Sequence, residues 1–225
     1  MTRLPKMDRA SKAEVLEARR AGGLNLSSLV PLEAFALWQL DLLNENDVVE
    51  LANNWLMNGL DQGSYELASI AIAKPESVID VKPAFEKAFE QMNVVPPSDN
   101  QSFLIVLEIY LRQIVMKNIL PMAGMAALNG LYIDEFDNQD RIVIRHPKFV
   151  SSEHENYMGS KLGLEYLYTW YREFQDAIDD ATWYYTELPF EAQLDKFDEN
   201  LVEEAEILLN HVRSLHPEIF KRDVM

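Results

Sequence analysis

Cysteine is absent from the 225 residues. Its absence excludes disulfide frameworks, thiolate metal sites and cysteine nucleophiles. Glycine is scarce, at eight residues, and Gly22-Gly23 lacks the following Gly-Lys-Ser/Thr of a phosphate loop. No Gly-x-Ser-x-Gly elbow presents a serine nucleophile. The four histidines, His146, His154, His211 and His216, show no His-Glu-x-x-His spacing and read as surface residues. Long apolar runs are missing too. The longest, Phe103 to Met116, is interrupted by Glu108, Arg112 and Gln113, whereas a membrane span needs roughly 20 largely uncharged apolar residues. It reads as a central buried helix. Residues 1–20 are polar and hold no apolar stretch of leader type, and the expected location is the cytoplasm.

Positive charge is scarce beside negative charge. Twenty Lys and Arg face thirty-seven Asp and Glu, a formal net charge of −17. The deficit is uneven. Residues 1–20 carry six basic and three acidic side chains, whereas residues 151–220 carry four and sixteen. Such a field opposes nucleic acid and anionic membranes, whose binding draws on Lys and Arg. It favours a basic protein partner, with plain solubility as the competing use of the same charge.

Hydrophobic spacing points to an all-α protein, a helical bundle-like body. Ser11 with Glu14 suggests a capping box for a short helix ending near Gly22-Gly23. Pro31 opens a second helix, and Asn46 suits the cap of a third carrying Val48, Leu51, Ala52 and Trp55, with Gly59 past its end. Helices follow from Ser64, from Asp80, from Ser98 or Asp99, and from Pro121 to Gly130. From Leu131 the texture changes. Tyr132-Ile133 and Arg141–Arg145 flank a turn-rich stretch, which predicts a small β-hairpin near residues 131–146. Helix resumes near Lys161 with an apolar stripe running to Trp183, and a last helix is expected from about Asn200 to Leu215. The organisation read from this pattern is an N-terminal arm over 1–23, a helical region over 24–130, a connector over 131–150 and an acidic helical region over 151–225, packed as one body.

Two stretches carry a resemblance. Val49-Glu50-Leu51-Ala52-Asn53-Asn54-Trp55-Leu56 with Gly59-Leu60-Asp61, and Asn118-Ile119-Leu120-Pro121-Met122-Ala123-Gly124-Met125-Ala126, together resemble a group of small helical bacterial proteins of immunity type, which accompany toxins. Met125 stands where that group has Ala. The resemblance spans about residues 46–132. It implies an accessory or neutralising role and carries no catalytic residues with it.

The enzymatic alternative is a carboxylate site for Mg²⁺. Glu173, Asp176 and Asp180 stand at i, i+3 and i+7, on one helical face, and Glu203 with Glu206 form a second i, i+3 pair. Oxygen ligands on two facing helices suit Mg²⁺, and the arrangement resembles the all-α nucleoside triphosphate pyrophosphatases. The order of the pairs is reversed here, and few basic residues stand nearby to meet a triphosphate.

The densest acidic stretch is residues 176–206, with eleven Asp or Glu against the single Lys196. Asp176, Asp179, Asp180, Glu187, Glu191, Asp195 and Asp198 alternate there with Tyr184 and Tyr185. Aromatic anchors supply binding energy and acidic neighbours supply speed and selectivity toward a basic protein. The same pattern also describes a solvated helical face. The reading that follows is a non-catalytic protein-binding protein without a cofactor, an inhibitor or immunity protein for a basic partner. A Mg²⁺-dependent pyrophosphatase-like enzyme and a self-associating helical scaffold are the alternatives.

Overall fold

The computed structural model describes residues 7–134, 143–148 and 159–220. Among the described residues every regular element is helical and none is a strand. In chain order the α-helices are α1 (Arg9–Arg20), α2 (Pro31–Gln39), α3 (Glu45–Asn58), α4 (Tyr65–Ala71), α5 (Val78–Gln91), α6 (Asp99–Val115), α7 (Pro121–Leu128), α8 (Glu165–Ile178), α9 (Phe190–Leu215) and α10 (Pro217–Phe220). Among the described residues, no helix is long and apolar enough to cross a membrane. The chain divides into two units. One is Asn25–Ile109; the other joins Met1–Leu24 to Tyr110–Met225.

The Asn25–Ile109 unit is built on helix starts that satisfy their own backbone. Pro31 occupies the first turn of α2, where no amide hydrogen is needed. Helix α3 is capped by Asn44 rather than Asn46. The Asn44 side chain accepts from the amides of Asn46 and Asp47, and Asp47 reaches back to the Asn44 amide. Helix α5 likewise begins two residues before Asp80, whose carboxylate accepts from Ser77. Gly59 ends α3 at φ 67°, a conformation that costs most residues a clash and glycine none. The core is aromatic. Phe85 and Phe89 pack at 4.5 Å, Trp38 and Phe35 meet them edge-on, and Trp55 lies between, its indole N–H donating to the Leu29 carbonyl at 2.8 Å. That bond removes the one polar atom Trp55 brings into the core.

In the other unit, α9 packs along α8 and also meets α7, and α1 lies against α7 and α8. Helix α9 starts at Phe190, ten residues before the expected position, because Leu194, Phe197, Leu201, Ala205, Leu208, Leu209 and Val212 form one continuous buried stripe. Pro189 sets its beginning. Helix α8 stops at Ile178, so Trp183 falls in the following loop and outside the expected stripe. Helix α1 is capped by Asp8, not Ser11. The Asp8 carboxylate accepts from the Ser11 amide at 2.9 Å, and this bond holds it below the usual carboxylate range. In α7, Gly124 is a packing requirement. A Cβ there would lie 2.5 Å from Ile114 Cγ1 and 2.7 Å from Ile119 Cδ1.

The expected hairpin is not formed where the chain is described. Asn129 keeps helical angles, φ −60° and ψ −50°, so α7 runs on into a π-helical turn over Asn129–Asp134, with Tyr132 buried in it. Residues 135–142, the intended turn and start of the return strand, lie outside the described residues. Ile144 is buried, but its amide donates to the Lys161 carbonyl at 2.7 Å, closing a loop instead of a ladder.

Candidate functional site

The acidic residues between α8 and α9 do not form one solvated face. They border three structures within the second unit: a seat occupied by α1, an aromatic loop, and a buried histidine clamp.

Helix α1 presents Arg9, Lys12, Leu16 and Arg19 at i, i+3, i+7 and i+10, one side of a helix. Lys12 and Leu16 are buried. The Lys12 ammonium donates to the Ala177 carbonyl at 3.2 Å and pairs with Asp180 at 2.6 Å, with the Phe190 ring 5.1 Å away. A cation against the last carbonyls of α8 meets the negative end of that helix. Arg9 pairs with Asp179 at 2.6 Å, and this pairing raises the arginine further above neutrality. Arg19 bridges Asp195, at 2.6 Å, and Asp198. Burial pushes the Asp198 carboxyl up to about 6 despite that pairing. The Met122 backbone amide, in the first turn of α7, also acts to lower it. Asp195 and Asp198, with Glu199 and one cation, Lys117, also line a pocket of about 380 Å³, whose apolar wall is Ile119, Leu120, Pro121 and Val202.

The loop between α8 and α9 is held from below. Glu173 is buried, and its carboxylate accepts from the Trp183 amide at 2.9 Å and from the Thr182 hydroxyl. Gln193, also buried, donates to the carbonyls of Tyr184 and Tyr185 at 3.1 and 3.0 Å. Tyr185 turns inward, toward Phe197 and Trp170, and its hydroxyl accepts from Asn200 at 3.0 Å. Tyr184 lies edge-on to Trp170 and stays 46% exposed. Trp183 is 84% exposed. Its backbone is fixed and its ring is not buried, while Glu187 and Glu191 stand exposed along the same segment.

His146 is buried, not superficial. Its Nδ1 accepts from the Lys148 amide at 3.2 Å, so the proton of the neutral ring sits on Nε2, which faces Glu204 Oε2 at 3.6 Å. Glu204 also pairs with Lys148 at 2.6 Å, and the Tyr166 ring lies 4.6 Å from the imidazole. Burial, reinforced by Lys148, lowers His146 to about 4. The Lys148–Glu204 pair ties 143–148 to α9, and the imidazole packs beneath it with Nε2 beyond hydrogen-bond reach of Glu204. The turn beside it demands Gly163, whose φ is 69° and whose missing Cβ would lie 2.9 Å from Leu208 and 3.2 Å from the His146 amide. His154 lies outside the described residues.

The carboxylates of the metal alternative are spread over these structures. Glu173 supports the loop, Asp180 pairs with Lys12, Asp176 lies 3.8 Å from Arg172, and Glu203 and Glu206 are exposed on α9. Among the described residues no three His, Asp or Glu converge to hold a metal ion. Of the residues expected to meet a partner, Asp179, Asp180, Asp195 and Asp198 are engaged by α1; Tyr184, Glu187 and Glu191 face outward; Tyr185 faces in. Sequence spacing puts Trp183 on an apolar stripe and reads His146 as a surface residue, and it gives Gln193 and Glu204 no role. Gln193 and Glu204 do sit in register with Phe197, Leu201 and Leu208, which is the sequence signal that they are buried. The chain matches no family profile, no curated protein and no solved structure.

Proposed function

We propose that this is a non-catalytic protein-binding protein of inhibitor or immunity kind, which captures a basic partner on the loop between α8 and α9. One observation carries the reading: Trp183 is 84% exposed on a backbone held by two buried side chains, Glu173 and Gln193. An exposed tryptophan on a mobile loop is costly to order. On a backbone already fixed, it is a preorganised anchor, and little conformational freedom is lost when it is covered. Tryptophan is also the side chain most enriched among residues that dominate interface energy. Tyr184 broadens the anchor, and Glu187 and Glu191 steer a positively charged surface toward it. The resemblance over residues 46–132 supports the same class of role.

The test compares capture from the native host by the wild type and by Trp183→Ala. A basic protein held by the wild type, associating more slowly as salt rises, and bound at least about 30-fold more weakly by the variant is the expected result for an anchor residue. Capture that ignores both salt and Trp183 overturns the reading. So does a concentration-dependent dimer of the wild type that Trp183→Ala abolishes, since the tryptophan would then serve self-association.

A further inference from the structure

Helix α1 is docked in an unusual manner. A helix ordinarily packs through an apolar stripe. The stripe of α1 contains one leucine, Leu16, among three cations, Arg9, Lys12 and Arg19. Each cation has its own acceptor on α8, α9 or the loop between them: Asp179, then Asp180 with the Ala177 carbonyl, then Asp195 with Asp198. Arg9 and Asp179 are both more than half exposed, and that pair is screened by salt. Ala21, Gly22 and Gly23 follow α1 as an exposed, non-helical stretch in which two glycines restrict the backbone little. The chain thus carries, on a permissive tether, a short basic helix seated on its own acidic surface.

The seat is larger than its occupant. The pocket of about 380 Å³ adjoins Asp195 and Asp198. Its apolar wall, Leu120 included, is partly open. Arg19 meets the other oxygen of Asp198 and one of Asp195. A helix with a further apolar side chain at this end would make contacts that α1 does not.

We propose that the acidic surface of α8 and α9 is a recognition site for a basic amphipathic helix of a protein partner, and that α1 is its resident occupant, displaced when the partner binds. This rests on the reading of the protein as a binder of basic proteins and names the form in which the partner is recognised. Cations at i, i+3 and i+10 around a central leucine match the seat. An apolar residue beyond the last of them fits the apolar wall of the pocket. Until such a helix arrives, α1 keeps four carboxylates paired and raises the threshold for weaker cationic ligands.

The probe is a fluorescein-labelled peptide with the sequence of residues 7–21, titrated onto the full chain. Wild type is compared with Arg9→Glu/Arg19→Glu, in which α1 repels the seat, and with Arg9→Gln/Arg19→Gln as the milder version. Circular dichroism confirms that each is folded. The charge-reversed chain is expected to bind the peptide at least tenfold more tightly than wild type does. Binding should weaken with salt and be lost when Asp195→Asn and Asp198→Asn are added. Absence of binding to every form overturns the proposal. So does equal binding to wild type and both variants, or binding that survives loss of the two aspartates. The peptide reads the seat of α1 and not Trp183. Failure here with Trp183-dependent capture intact removes only the helix-displacement step, whereas failed capture removes the protein-binding reading itself.

Discussion

Lys12→Met measures how firmly α1 is held. Methionine keeps most of the apolar stem and removes the ammonium, which is buried and bonded to the Ala177 carbonyl at 3.2 Å and Asp180 at 2.6 Å. A hydrogen bond to a charged group contributes about 1.5–3 kcal/mol when its partner is left buried. Asp180 is more than half exposed and rehydrates, so its share lies at the low end. The favourable placement of a cation at the C-terminus of α8 adds about 0.3–1 kcal/mol. The sum is about 2 kcal/mol, equivalent to about a 30-fold rise in the population with α1 detached. Arg9 and Arg19 remain, so the helix still docks most of the time. The measurement is amide hydrogen exchange across α1, with trypsin cleavage after Arg19 or Arg20 as a second readout of the open population. Exchange in α1 should rise about 30-fold while that of α8 and α9 changes little. An α1 that exchanges as slowly as in the wild type would refute the assigned role of Lys12. Equal acceleration of all three helices would show that α1 opens only with the whole unit.

Two further predictions concern stability. Burial holds His146 neutral and lowers it to about 4 from the ordinary histidine value of about 6.5. A folded value below the unfolded one means the unfolded state takes up the proton first. The contribution of His146 is therefore fully present above about pH 6.5 and is lost as pH falls through about 4. Asp198, raised to about 6, and Glu165, raised by burial, act in the opposite sense and bind protons more readily in the folded state. In urea denaturation, His146→Gln should lose less stability than the wild type between neutral pH and pH about 4.5; parallel profiles would refute the buried neutral imidazole. Gly124→Ala forces Ile114 and Ile119 aside from contacts of 2.5 and 2.7 Å and should cost about 1–3 kcal/mol in the same assay. A stabilised variant would mean that the two isoleucines yield freely and that helix propensity decides.

The helical class and most helix positions were legible because the chain pairs clear apolar spacing with strong starts and stops at Pro31, Gly59 and Pro121. Caps were less so. Where Asn44 and Asn46, or Asp8 and Ser11, compete within three residues, spacing alone does not say which side chain reaches the amides. The start of α9 was obscured because Gln193, Asp198 and Glu199 interrupt the early apolar pattern, although Leu194 and Phe197 already belong to the buried stripe. Trp183 was misplaced because apolar spacing continued across Asp179-Asp180, where Asp180 turns to φ 54° and ends the register of α8. The hairpin failed on two residues: Tyr132-Ile133 is too short an alternation to break a helix that Asn129 continues. As for the acidic stretch, its density was plain and its use was not. The mild positive excess of residues 1–20 was visible, but nothing local says that side chains 165 to 179 positions apart will meet.

That separation in sequence also has a bearing on synthesis. Chains emerge at about 5–20 residues per second. Helix α1 is made before its acceptors: Ala177 follows Lys12 by 165 positions and Asp198 follows Arg19 by 179. For roughly ten to thirty seconds the basic helix has no seat, while Asn25–Ile109, a unit with its own internal contacts, can already form. During that interval a cationic peptide with its receptor still unmade is exposed to ribosome, nascent acidic chains and nucleic acid. Closing the loop from α1 to α9 follows, and its entropy grows only slowly with the residues enclosed. The order of synthesis makes α1 a clasp that fastens only after α8 and α9 have been made, and a chain cut short before Ala177 would be left carrying an unpaired basic helix.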